Sequence, residues 1–101
     1  MANVFKNYTG EGTTGGAVVY TIPAATTSVF LGLNLANKSA TGVSVSVQLG
    51  TTYIIKDAPI PVGSALSVLD GKIIGETGET VTVTASANTA VDVILSVMEQ
   101  S

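Results

Sequence analysis

The side chains able to do chemistry in this chain are few. There are seven carboxylates, four basic residues, three tyrosines and a supply of Ser and Thr hydroxyls, with no His, Cys or Trp. The basic residues, Lys6, Lys38, Lys56 and Lys72, are all lysine. A Ser-His-Asp or Cys-His arrangement is therefore out of reach, and zinc and haem lose their usual ligands. Disulfides and thiolate sites are excluded as well. A Ser–Lys dyad on Lys56 or Lys72 would need a lysine desolvated in a pocket. Both stand beside acidic or turn residues, in Lys56-Asp57 and Asp70-Gly71-Lys72, where a surface lysine is expected. Asp57, Asp70, Glu76 and Glu79 are the candidate acid/base carboxylates. They lie in or beside turns and read as solvated turn acids, and calcium would want a denser oxygen cluster.

Three further patterns have a plain structural reading. Gly10-Glu11-Gly12-Thr13-Thr14-Gly15-Gly16 lacks the Gly-Lys-Ser/Thr of a phosphate loop and leads into a strand rather than a helix. It reads as a mobile loop that orders on a neighbouring subunit. Tyr8, Tyr20 and Tyr53, scattered and without Trp or Arg, are expected in core or interface packing rather than as a stacking platform. Asn7-Tyr8-Thr9 and Asn37-Lys38-Ser39 match the glycosylation tripeptide. Without a secretion signal both read as chance matches. No catalytic residue, cofactor or metal is expected, and a small-molecule ligand is not favoured.

The elements that would position these residues are strands. Val43, Val45, Val47 and Leu49 alternate with Ser44, Ser46 and Gln48, and Val81 and Val83 alternate with Thr82 and Thr84. Val29, Leu31, Leu33 and Leu35 share one parity, as do Val91, Val93, Leu95 and Val97. A period of two places each set on one face of a strand, and Val, Ile and Thr suit a pleated, half-buried surface. Turn residues punctuate these runs at 37–42, 49–51 and 76–79, Asp70-Gly71 signals a hairpin, and Pro59 and Pro61 make a stiff connection. Strands are predicted over 3–8, 17–22, 28–36, 42–49, 52–57, 65–69, 72–75, 80–86 and 90–99. This spacing predicts a single all-β domain over 1–101, an antiparallel β-sandwich of jelly-roll or immunoglobulin-like type. A closed barrel is the second choice.

Composition says what such a domain must do with its surface. Of the 101 residues, 46% are hydrophobic and 11% charged, against a usual charged share of roughly 25%. A chain of this length has a modest interior, so the apolar surplus needs another place, and a subunit interface is the simplest. A membrane is not expected, since no apolar stretch approaches the ~20 residues of a spanning helix. The start of the chain has no secretory pattern, so synthesis in a cytoplasm is expected. The net charge of −3 and the lack of Arg argue against nucleic acid. Several strands are also apolar on both parities. Phe30 opposes Val29 and Leu31, Ile54 adjoins Ile55, Ile74 adjoins Ile73, and Ile94 and Met98 oppose Val93, Leu95 and Val97. A bulge that resets parity explains any one of these. Taken together they predict a second buried surface made by other subunits, with Phe30, Ile54, Ile74, Ile94 and Met98 as the candidate interface.

Three stretches add a resemblance. They are Val19-Tyr20-Thr21-Ile22-Pro23-Ala24 with 29–37, Lys56-Asp57-Ala58-Pro59-Ile60-Pro61-Val62-Gly63-Ser64, and Leu69-Asp70-Gly71-Lys72-Ile73-Ile74 with 78–86 and 91–99. Together they resemble small virion structural proteins of tailed bacteriophages. The resemblance implies a structural subunit assembled in a host bacterial cytoplasm and carried in the virion. A capsid decoration or cement protein comes first, as a homo-oligomer with a trimer favoured, held to the major capsid protein or other virion proteins. A tail, neck or fiber accessory protein comes second, and a carbohydrate-binding attachment module third.

Overall fold

Branched Cβ atoms restrict χ1 against a helix and pack well on a pleated sheet, and the chain is built accordingly. The computed structural model describes residues 3–68 and 73–101, and these form nine strands. They are β1 (Asn3–Glu11), β2 (Ala17–Thr21), β3 (Thr27–Asn37), β4 (Val43–Leu49), β5 (Thr52–Ile60), β6 (Ala65–Ser67), β7 (Ile73–Gly75), β8 (Thr80–Ala85) and β9 (Val91–Gln100). One antiparallel sheet runs β1-β9-β3-β6, with β7 also paired to β3; the other runs β2-β8-β4-β5. The two sheets face each other as a β-sandwich and do not close into a barrel. The expected hairpin at Asp70-Gly71, and with it Lys72, lies outside the described residues.

The core is the layer between the sheets. β9 supplies Val91, Val93, Leu95 and Val97, and β3 supplies Leu33 and Leu35. From the facing sheet come Val43, Val45 and Val47 of β4 and Val81 and Val83 of β8. Tyr20, Ile22 and Phe30 close one end. Each of these strands turns its other parity away from the core, as period-two side chains on a pleated sheet must.

Bulges reset the pattern where simple alternation misleads. On β3, Phe30 pairs with Val97 and Gly32 with Ser96, so Leu31 is an extra residue. The inward parity therefore switches from Ser28 and Phe30 to Leu33 and Leu35. Val29, Leu31, Leu33 and Leu35 do not share a face, and Phe30, 1% exposed, belongs to the core and not to an outer interface. β5 carries two register shifts against β4. They let Ile54 and Ile55, neighbours in sequence, both lean on the core, so Ile54 is in part a core residue. Asp57 sits in the same region at φ 51, its amide donating to the Ser46 hydroxyl at 2.9 Å. Pro59 is part of β5 rather than a connection, which an edge strand tolerates.

The stretch expected to be a mobile loop is tied to both sheets. Gly10 and Glu11 complete β1. The Gly12 amide donates to the Val91 carbonyl at 3.1 Å, and the Thr13 carbonyl accepts from the Ala85 amide at 2.9 Å. Gly12 is buried, and a Cβ there would lie 3.1 Å from both Val83 Cγ1 and Ala85 Cβ. Glycine lets the chain cross closely over the sandwich at this point.

Gly75 is a second such place. A Cβ on it would collide with Ile22 Cδ1 and lie 3.0 Å from Phe30 Cζ, both inside the core. Gly75→Ala should therefore overpack this end and destabilise the fold by ~1–3 kcal/mol. A urea titration followed by circular dichroism checks this, and an unchanged midpoint would contradict the packing described.

Candidate assembly surface

The described residues singled out for chemistry are not gathered into one site. Among the described residues no three His, Cys, Asp or Glu come together as a metal-binding group. Glu79 closes its own turn, its carboxylate accepting from the Glu76 amide at 2.8 Å. Asp57 is held at the β5 bulge, and Lys56 lies 5.0 Å over the exposed ring of Tyr53. Asp70 and Lys72 lie outside the described residues. Asn37 is buried and serves its turn, donating to the Thr41 and Ile60 carbonyls at 2.9 and 3.0 Å and accepting from the Ser39 amide.

One polar cluster was not legible in the sequence. Glu99, 7% exposed, accepts from the Tyr8 hydroxyl at 2.7 Å and the Tyr20 hydroxyl at 2.6 Å, and Lys6 Nζ lies 3.4 Å from its other oxygen. Since an ionised carboxylate only accepts, both phenols spend their protons on it. Ser28 Oγ, 2.5 Å from the Tyr20 hydroxyl, is then the donor to that oxygen. The two rings stack at 4.3 Å between centroids. The Tyr20 hydrogen bond, with help from Tyr8 and Lys6, holds the Glu99 carboxyl below its ordinary pKa against the opposing effect of burial. Burial, reinforced by Glu99, raises the Tyr20 phenol. The cluster joins β1, β2, β3 and β9 at one end of the sandwich. It is a clamp packed between strands, and its groups are already spent on one another.

The outer faces of the two sheets differ sharply. The central strands of β2-β8-β4-β5 turn Ser44, Ser46, Gln48, Thr82 and Thr84 outward, alternating with the buried valines, and its edge strands expose Val18 and Tyr53. The outer face of the β1-β9-β3-β7 sheet carries an apolar row among polar outward residues that include Asn7, Ser96 and Asn34. Register puts Phe5 opposite Met98, Met98 opposite Val29, and Val29 opposite Ile74. These four form one row across four strands, on the face away from the core. Phe5 is 71% exposed and Ile74 62%. The bulged Leu31 adjoins the row, and Ile94, four residues from Met98 along β9 and beyond Ser96, lies on the same face; both are substantially exposed. Phe5 and Leu31 also border a shallow depression with Ser96.

Of the candidate interface, then, Ile74, Ile94 and Met98 share this face, Phe30 lies inside and Ile54 belongs to the other sheet. Phe5, Val29 and Leu31 join it. Phe5 had no sequence signal, because Asn3 and Asn7 on either side of it in the same parity hide the row that cross-strand register creates.

No family model matches the chain, and no curated protein matches its sequence. Among solved structures it is similar in fold to a protein of Bacillus endospore appendages, described as a novel family of disulfide-linked pili. The TM-score is 0.59 and the identity 13%, over 99% of this chain and 87% of that one. At that identity the likeness speaks for the β-sandwich alone.

The clamp predicts an acid limb. A carboxyl held below its ordinary value stabilises the fold above its unfolded pKa of ~4.3, and that contribution is lost as pH falls through the lower folded value. Glu99→Gln should lower stability at about pH 7 by ~1–3 kcal/mol. It should also narrow the gap between urea midpoints at about pH 7 and about pH 3. An unaltered gap would mean that Glu99 is not the group titrating there.

Proposed function

We propose that the chain is a non-catalytic structural subunit of a tailed-bacteriophage virion, and within that class a capsid decoration protein. The observation that carries the reading is the apolar row Phe5–Met98–Val29–Ile74, with Leu31 beside it and Ile94 further along the same face, where the central strands of the other sheet turn hydroxyls outward. A contiguous apolar patch on one face marks a surface that is covered in use. Such a subunit needs a stable fold and broad contacts with copies of itself and with the major capsid protein, and no titrating site.

Two further observations support it. The strand and turn wording of 17–99 resembles small virion proteins, which favours the particle. The fold is shared with a protein of endospore appendages described as pili, which favours repeated assembly as a use of this sandwich. That appendage is disulfide-linked, whereas this sequence has no cysteine. Here cohesion falls to apolar and backbone contacts.

Imaging of purified particles tests the assignment. Density for this chain over capsomers is the expected result. Density on the tail or neck alone would make it an accessory protein there, and absence from the particle would overturn the virion reading.

Ile94→Asp should weaken assembly at least ~tenfold, because it places a charge in the covered face. It should leave the monomer's unfolding midpoint nearly unchanged, since Ile94 is already 46% exposed. Light scattering and thermal unfolding read the two effects separately. Loss of the soluble monomer would instead place Ile94 in the core.

A further inference from the structure

The sandwich has four edges, and they are not alike. β2 has five residues and a register shift against β8. β5 has two register shifts, a left-handed Asp57 and Pro59. The edge beside β3 is made of two three-residue pieces, β6 and β7. Short strands, bulges and proline are the devices that stop a sheet edge from pairing with another chain. β1 has none of them. Its nine residues run against β9 in one unbroken register, and no described strand pairs with its far side.

We infer that β1 is the edge through which two copies of this chain join, antiparallel and about a two-fold axis at Asn7, so that one sheet runs through both. The inference rests on the assembly reading and names its contact. The Gly12 amide bonds to the Val91 carbonyl in continuation of the β1–β9 register. In an antiparallel ladder the bonded residues alternate. The amides of Asn3, Phe5, Asn7, Thr9 and Glu11 therefore point away from β9, and all five residues are exposed. Centred on Asn7, the strand meets its own copy over its full length. Phe5 faces Thr9, Glu11 faces Asn3, and Asn7 faces Asn7. About ten backbone hydrogen bonds form, two for each bonded pair.

Charge and face both agree with this register. Lys6 falls opposite Tyr8 of the second copy and Glu11 opposite Asn3, so no like charges stand directly opposite, and the two Lys6 residues, diagonal across the seam, are each paired with their own Glu99. Lys6, the charge that would guard such an edge, is held by Glu99 at 3.4 Å. The apolar row also continues across the seam. From Ile74, Val29, Met98 and Phe5 it passes over the Thr9 methyl of the second copy to that copy's Ile94, which register places beside Thr9. The same path returns from the other side, as a two-fold contact requires. This contact is two-fold, and the rest of the outer face stays open to other virion contacts.

The cysteine-free sequence makes the test direct. In this register Asn7→Cys residues of two copies stand about 5.5 Å apart between Cα atoms, within disulfide reach. Two Asn3→Cys residues would be about 27 Å apart. Under mild oxidation Asn7→Cys should give a covalent dimer and Asn3→Cys none, while the double variant Asn3→Cys/Glu11→Cys should cross-link. Asn7→Pro removes an outward amide that β9 does not use. It should shift light-scattering mass from dimer to monomer while thermal unfolding stays close to that of the parent chain. Cross-linking of Asn3→Cys alone, an oligomer that survives Asn7→Pro, or a parent chain that stays monomeric at high concentration would each overturn the edge pairing. None of these outcomes bears on where the chain sits in a particle, which imaging decides separately.

Discussion

Val91, Val93, Leu95 and Val97 place one face of β9 wholly between the two sheets, and the other strands are arranged around that burial. β9 pairs with β1 on one side and β3 on the other over nearly its whole length. Removing these side chains from water is the largest favourable term available to so small a domain. It also fixes register, since a slip of one residue would turn the valines to solvent. The next inward position after Val97 is Glu99. There a polar group must be satisfied rather than solvated, and Tyr8, Tyr20 and Lys6 converge on it. Among the described residues no buried side-chain polar atom is left without a partner. The same strand therefore supplies the core and anchors the clamp that holds β1 in place.

The alternate parity of β9 has the opposite consequence. Because β9 is central, its outward Met98 is flanked by Phe5 and Val29 and becomes part of a row, while Ile94 stands between Thr9 and Asn34. The central strands of the facing sheet turn Ser, Thr and Gln outward in the same situation, so the apolar row is not a by-product of the fold. The edges show the same asymmetry. Three are shortened, bulged or interrupted, while β1, clamped by Glu99 at one end and tied by Gly12 at the other, stays long and regular. Face and edge adjoin at Phe5.

Much of the fold was legible in the sequence. Each of the nine strands overlaps a predicted one, though β1 and β5 run on into the segments read as a loop and a connection, and the split between Val93, Leu95 and Val97 inside and Ile94 and Met98 outside follows from parity alone. Phe30 shows where that reasoning stops. A bulge at Leu31 reverses the faces of β3 halfway, and bulges on β5 do the same for Ile54, because an extra residue leaves the local composition unchanged while moving every side chain beyond it. The Gly10–Gly16 stretch reads as loose in sequence because glycine permits looseness. In the structure glycine serves close approach instead.

Sequence alone is enough for the fold: branched residues at a period of two give strands, and the missing His and Cys remove whole families of catalysis. Which residues meet is a matter of tertiary structure. Glu99, Tyr8 and Tyr20 are separated by up to ninety-one positions, and Phe5, Met98, Val29 and Ile74 lie on four different strands. Strand pairing is non-local, so the order and register of β1, β9, β3 and β7 set these neighbours, and no window of sequence contains them.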